Sequence, residues 1–143
     1  MFNGINVTTL FVFDQDEALD FYTNKLGLEV AMDYNAGPTR WLTVRVPGDP
    51  GHEIYLQKPA PPAVDEATAG QIRELVSKGA IGWIALTTSD CRKTAETLKA
   101  NGVEFTQEPM DHGYGVDCGV RDPFGNAIRI LQPAKAPAAS GTR

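Results

Sequence analysis

The sequence is poor in the residues that build metal clusters and disulfide frameworks. Its 143 residues include two cysteines, Cys91 and Cys118, and two histidines, His52 and His112. The cysteines show no Cys-x-x-Cys or zinc-type spacing, and a core can hold together a chain of this length, so we predict two reduced, partly buried thiols. A reactive Cys118 would need a nearby cation or helix N-terminus. Both histidines stand beside a glycine in turn-like segments, which predicts surface positions.

The sequence also lacks runs of basic residues and long apolar segments. Its formal net charge of −5 comes from acids and bases mixed along the chain, which leaves no cluster of lysine or arginine to neutralise phosphates. No stretch approaches the roughly 20 apolar residues that cross a bilayer. Met1–Leu10 lacks the basic and apolar regions of a signal peptide. We therefore expect a cytoplasmic protein without nucleic-acid or membrane partners.

The first half of the sequence predicts a strand, a helix and three more strands. Ile5–Val12 is rich in β-branched and aromatic residues, as strands are. Asp14 is a predicted helix N-cap with Glu17 three residues on, a pattern that resembles a capping box, and Gly27 predicts the helix end. Three further strands are predicted between clusters of Asn, Gly and Pro, at Leu28–Asp33, Arg40–Val46 and Glu53–Gln57.

The same order of elements recurs in the second half. The predicted elements are the strand Ile81–Thr88, the helix Asp90–Ala100, and the strands Val103–Gln107, Val116–Arg121 and Ala127–Leu131. Anchor residues of the two halves, such as Gly27 and Gly102, are separated by a nearly constant offset of about 75 positions. The sequence therefore predicts an internal duplication, with two βαβββ modules related by a pseudo-twofold axis.

Segments outside the repeats complete the predicted organisation. Residues 1–58 form the first module, 59–79 a linker, 80–133 the second module, and 134–143 a poorly ordered tail rich in Ala, Pro, Ser and Gly. The linker begins with prolines and continues into an amphipathic helix, Asp65–Lys78. Its apolar side chains would dock against a sheet edge or a partner subunit, and the sequence does not choose between them; they are Ile72, Leu75 and Val76.

Two sets of residues connect this organisation to a known family. They are Asp14, Phe21-Tyr22 and Leu26-Gly27 in the first half, and Arg121-Asp122-Pro123-Phe124-Gly125-Asn126 in the second. Together with the duplication, they resemble the vicinal oxygen chelate superfamily, which includes glyoxalase I, extradiol dioxygenases and bleomycin-resistance proteins. The resemblance covers Ile5 to Pro133 and implies an α+β fold, in which two tandem βαβββ modules form a cup-shaped mixed sheet. It also implies a homodimer, but it leaves the reaction open, since one fold hosts many functions.

The resemblance further implies where a metal ion would bind. Metal-dependent members of the superfamily take ligands, usually His and Glu, from the first and last strands of each half. The matched positions are Val7 and Tyr55 in the first half, and Trp83 and Arg129 in the second. None is an ordinary His or carboxylate ligand, and a guanidinium has no lone pair to donate. We therefore predict the metal-independent branch, with neither a metal nor another cofactor.

Because side chains alternate between the two faces of a strand, these four positions also predict which residues line a pocket. If Val7 faces the pocket, alternate residues of its strand join it, while Leu10 and Val12 face the helices. The predicted ligand-binding residues are Val7, Thr9, Phe11, Trp41, Glu53, Tyr55, Trp83, Tyr114 and Arg129. Tyr114 lies between two glycines, in a loop that covers the pocket mouth in similar proteins; the resemblance therefore implies a lid, and the glycines would let it flex.

Such a lining suits a flat apolar molecule that stacks on aromatic rings and carries an anionic or hydrogen-bonding group for Arg129. The leading hypothesis is a metal-free binding protein of the bleomycin-resistance or antibiotic-sequestering kind. A glyoxalase-like lyase, isomerase or dioxygenase would need a metal ion. A metal-free acid/base enzyme would use Glu53, the weak catalytic candidate, with Tyr55 or Arg129 as its electrostatic partner. A collapsed core in which Arg129 pairs with Glu53 would leave a structural role.

Overall fold

The computed structural model describes residues 1–135, which contain eight strands and three α-helices. The first module comprises β1 (Val7–Phe11), α1 (Gln15–Asp20), β2 (Glu29–Ala36), β3 (Thr39–Arg45) and β4 (Glu53–Gln57). The linker carries α2 (Glu66–Ser77), and the second module comprises β5 (Trp83–Thr87), α3 (Cys91–Ala100), β6 (Glu104–His112), β7 (Gly115–Arg121) and β8 (Ala127–Pro133). No helix of this part of the chain is long and apolar enough to cross a membrane.

Each module folds into a four-stranded mixed sheet with the same strand order. The first sheet runs β1-β4-β3-β2 and the second runs β5-β8-β7-β6. In both, the first and last strands of the module pair in parallel, and the other neighbours are antiparallel. The α+β class and the repeated βαβββ order predicted from the sequence are therefore confirmed.

The first helix begins as predicted but does not stay α-helical to its end. Oδ1 of Asp14 accepts a hydrogen bond from the backbone N–H of Glu17 at 2.9 Å, which satisfies an otherwise unpaired donor of the first turn. After Asp20 the chain continues as a π-helical turn, Phe21–Lys25, which the apolar spacing alone did not predict. Gly27 then leaves the helix with φ of 84°, a left-handed conformation that glycine adopts without steric cost.

The strands β6 and β7 differ from their predicted bounds. β6 was expected to end at Gln107, before Glu108 and Pro109, but it continues to His112 with register shifts on both sides of Gln107. Pro109 is tolerated because β6 is the edge strand of its sheet, where a missing N–H costs no ladder hydrogen bond. The expected lid is therefore only a tight turn between β6 and β7.

The Asp122–Asn126 turn is built around one buried carboxylate. Oδ1 of Asp122 accepts hydrogen bonds of 2.8–2.9 Å from the backbone N–H groups of Phe124, Gly125 and Asn126. Oδ2 accepts from the Tyr22 hydroxyl and from Nδ2 of Asn126, both at 2.7 Å. By its contacts this turn belongs to one compact unit with residues 1–82. Within the described residues, 83–121 and 127–135 form the other unit.

The linker helix docks within the first of these units. Ala69 and Val76 are fully buried, whereas Leu75 is 41% exposed, and α2 packs against β1. A Cβ placed on Gly125 would lie 2.2 Å from the Val76 carbonyl oxygen, so the Asp122–Asn126 turn touches the end of α2. The disorder predicted for the tail concerns residues 134–143, of which 136–143 lie outside the described residues.

Candidate functional site

The strands of the first sheet place the predicted lining on a single face. Leu10 and Val12 of the opposite face are 2% and 0% exposed and belong to the core. Residues paired directly across neighbouring strands share a face. In the parallel β1–β4 ladder these pairs are Val7 with Glu53, Thr9 with Tyr55, and Phe11 with Gln57. The structure thus places five predicted residues of the first module on one face: Val7, Thr9, Phe11, Glu53 and Tyr55. Trp41 shares this face, because Thr43, two residues further along β3, pairs with Tyr55.

Three aromatic side chains of the first sheet lie side by side on this face. The rings of Trp41 and Tyr55 stack, with centroids 4.1 Å apart and an interplanar angle of 29°. Tyr34 pairs with Trp41 across the β2–β3 ladder and is 49% exposed. We call Tyr34, Trp41 and Tyr55 the aromatic row. Tyr34 was missed in the sequence because the predicted strand ended at Asp33, one residue before it.

Glu53 lies next to the aromatic row but is engaged by a neighbour. The Thr43 hydroxyl donates a 2.6 Å hydrogen bond to Oε1 of Glu53. Thr43 is fully buried, whereas Glu53 is partly exposed. Glu53 therefore has one fixed hydrogen-bond donor and remains partly exposed.

A small open hollow of about 70 Å³ adjoins the aromatic row. Its walls include Tyr55 and Gln57 of β4, Arg40 of β3 and Lys58 with Pro61 of the linker. The Arg40 guanidinium is held by Asp33 and Asp16 at 2.9 and 2.7 Å. The hollow holds only a few atoms, so a larger ligand would lie over the sheet face.

In the second sheet, Trp83 and Arg129 share the face opposite the buried core. Trp83 pairs with Ala127, and Ala85 pairs with Arg129, in the parallel β5–β8 ladder. Ile128 and Ile130, which alternate with Arg129, are buried on the other face beneath α3. The Trp83 indole is 63% exposed, a large apolar surface to leave in water.

Arg129 is paired with an aspartate that the sequence interpretation did not identify. Nη2 of Arg129 donates to Oδ2 of Asp117 at 2.5 Å and to Oε1 of Gln107 at 3.0 Å. The sequence interpretation offered Glu53 as a carboxylate partner of Arg129, and the structure gives Arg129 a different one within its own sheet. Burial alone would raise the pKa of Asp117, but the hydrogen bond and charge of Arg129 outweigh it and hold this pKa below its ordinary value. Asp117 is thus ionised at neutral pH.

Gly119 provides the space in which the Arg129 guanidinium lies. The two residues are paired across the β7–β8 ladder. A Cβ on Gly119 would come within 2.5 Å of Nη1 of Arg129 and 2.8 Å of the Thr106 hydroxyl oxygen. The missing side chain lets the guanidinium rest on the strand backbone beside Asp117.

His112 and Tyr114 flank the same aspartate from the β6–β7 turn. Their rings stack with centroids 4.8 Å apart and an interplanar angle of 9°. Nε2 of His112 lies 2.8 Å from Oδ1 of Asp117 but without hydrogen-bond geometry, and the Tyr114 hydroxyl donates to Oδ2 at 3.4 Å. The predicted surface position of His112 is only partly right, since its side chain is 28% exposed.

The residues at the matched metal-ligand positions do not fit a metal ion. Val7 and Trp83 offer no donor lone pair, and Arg129 is a charged donor already bonded to Asp117. Burial raises the pKa of Tyr55, which disfavours the phenolate that would bind iron. Within residues 1–135 there is no group of three or more His, Cys, Asp or Glu side chains that could hold a metal.

Both cysteines are free thiols, and both are fully buried in the second unit. Their sulfur atoms lie 3.6 Å apart, where α3 begins over β7. Burial and the Cys91 thiol raise the pKa of Cys118 to about 12. Burial therefore opposes the reactive use of Cys118 that the sequence left open.

The fold and these faces define a duplicated βαβββ protein with the exposed aromatic side chains Tyr34 and Trp83 on its sheets. The chain belongs to the glyoxalase/bleomycin resistance protein/dioxygenase superfamily, whose model matches residues 4–130. The structure of UcmS2 is 40% identical with a TM-score of 0.88, covering 92% of this chain and 99% of that one. TnmS3, an antibiotic binding protein from Streptomyces sp. CB03234, is 24% identical with a TM-score of 0.75, covering 93% and 98%. A lactoylglutathione lyase of Neisseria meningitidis is 32% identical over 130 residues, 87% of each chain.

Proposed function

We propose that this protein binds a flat, partly aromatic small molecule without a metal ion, and that binding itself is its function. The aromatic row carries this proposal, because the buried Tyr55 (7% exposed) holds the partly exposed Trp41 ring by stacking, and Tyr34 beside Trp41 is 49% exposed. A planar ligand laid on such rings gains the burial of apolar surface and about 0.5–1.5 kcal/mol more per aromatic pair. Trp83, 63% exposed on the second sheet, offers another ring.

The similarity to antibiotic-binding proteins supports this proposal. TnmS3 is an antibiotic binding protein and shares the fold of this chain. The residues at the matched metal positions support the metal-free part, because Val7, Trp83 and Arg129 cannot coordinate an ion. These observations support our proposal of a metal-independent, sequestering member of the superfamily.

Thermal unfolding in the presence of planar compounds tests the proposal. A ligand at about 100 times its Kd should add roughly 2.7 kcal/mol to the free energy of unfolding. Trp41→Ala and Trp83→Ala should each reduce the shift in Tm. Leu75→Ala is the matched control, because it removes an exposed apolar side chain of α2 instead. A broad panel of planar compounds without any shift would contradict the proposal.

A metal-dependent lyase or dioxygenase is the second candidate, favoured by the 32% identity to lactoylglutathione lyase. Elemental analysis of the untagged protein separates it from the first. Stoichiometric nickel, zinc or iron that disappears in the Tyr55→Phe variant would establish the metal-dependent reading. Metal content far below one ion per chain agrees with a binding protein.

A metal-free acid/base enzyme is the third candidate, with Glu53 as the base beside Thr43. Its carboxylate is positioned by one hydrogen-bond donor and belongs to a partly exposed residue, so a substrate proton could reach it. If turnover is found, the activity of the Glu53→Gln variant shows whether Glu53 acts as the base. Turnover that persists in this variant would remove Glu53 from the mechanism.

We further propose that the protein acts in the cytoplasm as a homodimer. Its edge strand β2 exposes Val30 and Met32, each 41% accessible, and a partner chain would cover such residues. Light scattering should give twice the mass of the chain. A monomeric mass at micromolar concentration would contradict this part of the proposal.

A further inference from the structure

Arg129 keeps unused hydrogen-bond donors after it has paired with Asp117. A guanidinium carries five N–H groups, and only Nη2 donates to Asp117 and Gln107. In the described part of the chain, the N–H groups of Nε and Nη1 have no protein partner, and 27% of the side chain is exposed. We call the N–H groups of Arg129 that Asp117 and Gln107 leave unused the donor fork; they belong to a partly exposed side chain.

The charge of this fork is already compensated. Asp117 is ionised, is 6% exposed, and lies 2.5 Å from the guanidinium that it neutralises. The other cation of the same face, Arg121, stands opposite Glu104 across the β6–β7 ladder. An anion bound at Arg129 would also lie close to the Asp117 carboxylate in a partly desolvated place, where like charges repel strongly.

The fork is also held in a fixed position. The guanidinium rests on Gly119, and Gln107 contacts both partners, since its Oε1 accepts from Arg129 and its Nε2 donates to Oδ1 of Asp117 at 3.2 Å. A donor group that is already oriented loses less freedom when it binds a ligand. Such a site selects by geometry as well as by charge.

We propose that Arg129 and Asp117 select a ligand whose polar group is an uncharged hydrogen-bond acceptor, such as a ketone, quinone or amide carbonyl. They would reject a ligand that carries a carboxylate. This inference rests on the proposed binding function and adds the chemical class of the ligand. It narrows the expected anionic or hydrogen-bonding group at Arg129 to an uncharged hydrogen-bond acceptor. Asp117 and Gly119 are specificity-determining residues in this account.

A matched pair of planar probes tests the inference. Acridone carries a neutral carbonyl, and acridone-4-carboxylate adds one negative charge to the same ring system. Fluorescence titration at pH 7.5 should show at least tenfold tighter binding of acridone by the wild-type protein. In Asp117→Asn the free guanidinium should bind the carboxylate at least tenfold more tightly than in the wild type. The near-UV spectrum checks that this variant is folded.

Gly119→Ala provides a second test that leaves both charges in place. Its methyl group should displace the guanidinium and weaken acridone binding about tenfold, whereas Gly70→Ala, on α2 with only Arg73 nearby, should leave it unchanged. Tighter carboxylate binding by the wild type, or an unchanged preference in Asp117→Asn, would overturn the inference and leave the binding function standing. Failure of both probes to bind the wild-type protein would overturn the binding function as well.

Discussion

The hydroxyl of Tyr22 donates a 2.7 Å hydrogen bond to the carboxylate of Asp122, 100 residues further along the chain. Both residues are buried, and burial followed by the charge of Asp122 raises the pKa of Tyr22 well above its ordinary value. Asn126 extends the contact, because its Nδ2 donates to Asp122 and to the Phe11 carbonyl oxygen. The Asp122 carboxylate therefore connects this turn to the π-helical turn after α1, and the Asn126 amide connects it to β1.

Removing the Tyr22 hydroxyl should destabilise the fold without changing the ligand-facing side chains. Tyr22→Phe leaves a buried carboxylate with one donor fewer, which costs about 1.5–3 kcal/mol for a hydrogen bond to a charged group. Urea denaturation measures the change in the free energy of unfolding. Tyr34→Phe, at a 49% exposed position, is the control and should change it by less than about 0.5 kcal/mol.

Two glycines with positive φ should respond very differently to alanine. Gly125 has φ of 116° and faces the Val76 carbonyl oxygen, whereas Gly102 has φ of 81° with open space around it. Gly102→Ala should cost only the backbone strain of about 1–2 kcal/mol. Gly125→Ala adds a backbone clash and should lower Tm further. Equal Tm values for the two variants would contradict the close approach of α2 to this turn.

The Asp117 and Arg129 pair should make stability depend on pH in the acid range. The pKa of Asp117 is lower in the folded state than the ordinary value of 3.8 that applies to the unfolded chain. The ionised carboxylate therefore stabilises the folded state at pH values above 3.8, and this contribution is lost as the pH falls through the folded-state pKa. The free energy of unfolding of the wild type should exceed that of Asp117→Asn at about pH 5, and this difference should shrink below about pH 4. A difference that stays flat down to pH 2 would be inconsistent with the pairing.

The two thiols should be inert in the folded protein. Cys91 and Cys118 are both fully buried, and the pKa of Cys118 is about 12, so almost no thiolate forms at pH 8. A thiol-reactive dye should label neither residue within minutes at pH 8 and should label both in guanidinium chloride. Rapid labelling of the folded protein would show that the start of α3 opens from β7.

The sequence allowed the sheet faces to be predicted because alternation is local. Glu53–Gln57 was predicted with its observed bounds, and Val7, Thr9 and Phe11 share a face with Tyr55 as expected. Two anchors in the repeats, the Asp14 cap and the Gly27 stop, also lie where the helix begins and ends. Each of these features depends on residues that are close together in the sequence, so the sequence alone predicted it.

The partners of the site residues could not be predicted in the same way. Asp117 is the one acidic residue of β7, but its pairing with Arg129 depends on the β7–β8 register. Gln107 reaches the pair only because β6 shifts its register on both sides of it. Such contacts are set by packing between strands, so sequence spacing does not reveal them.

The central claim is that the protein binds a flat neutral molecule without a metal ion. The most direct measurement is a tryptophan-fluorescence titration with acridone of protein freed of metal by a chelator, with metal content determined by elemental analysis. The account predicts saturable quenching with the same Kd before and after chelation. Quenching that appears only after nickel, zinc or iron is added, or no saturable signal under either condition, would contradict it.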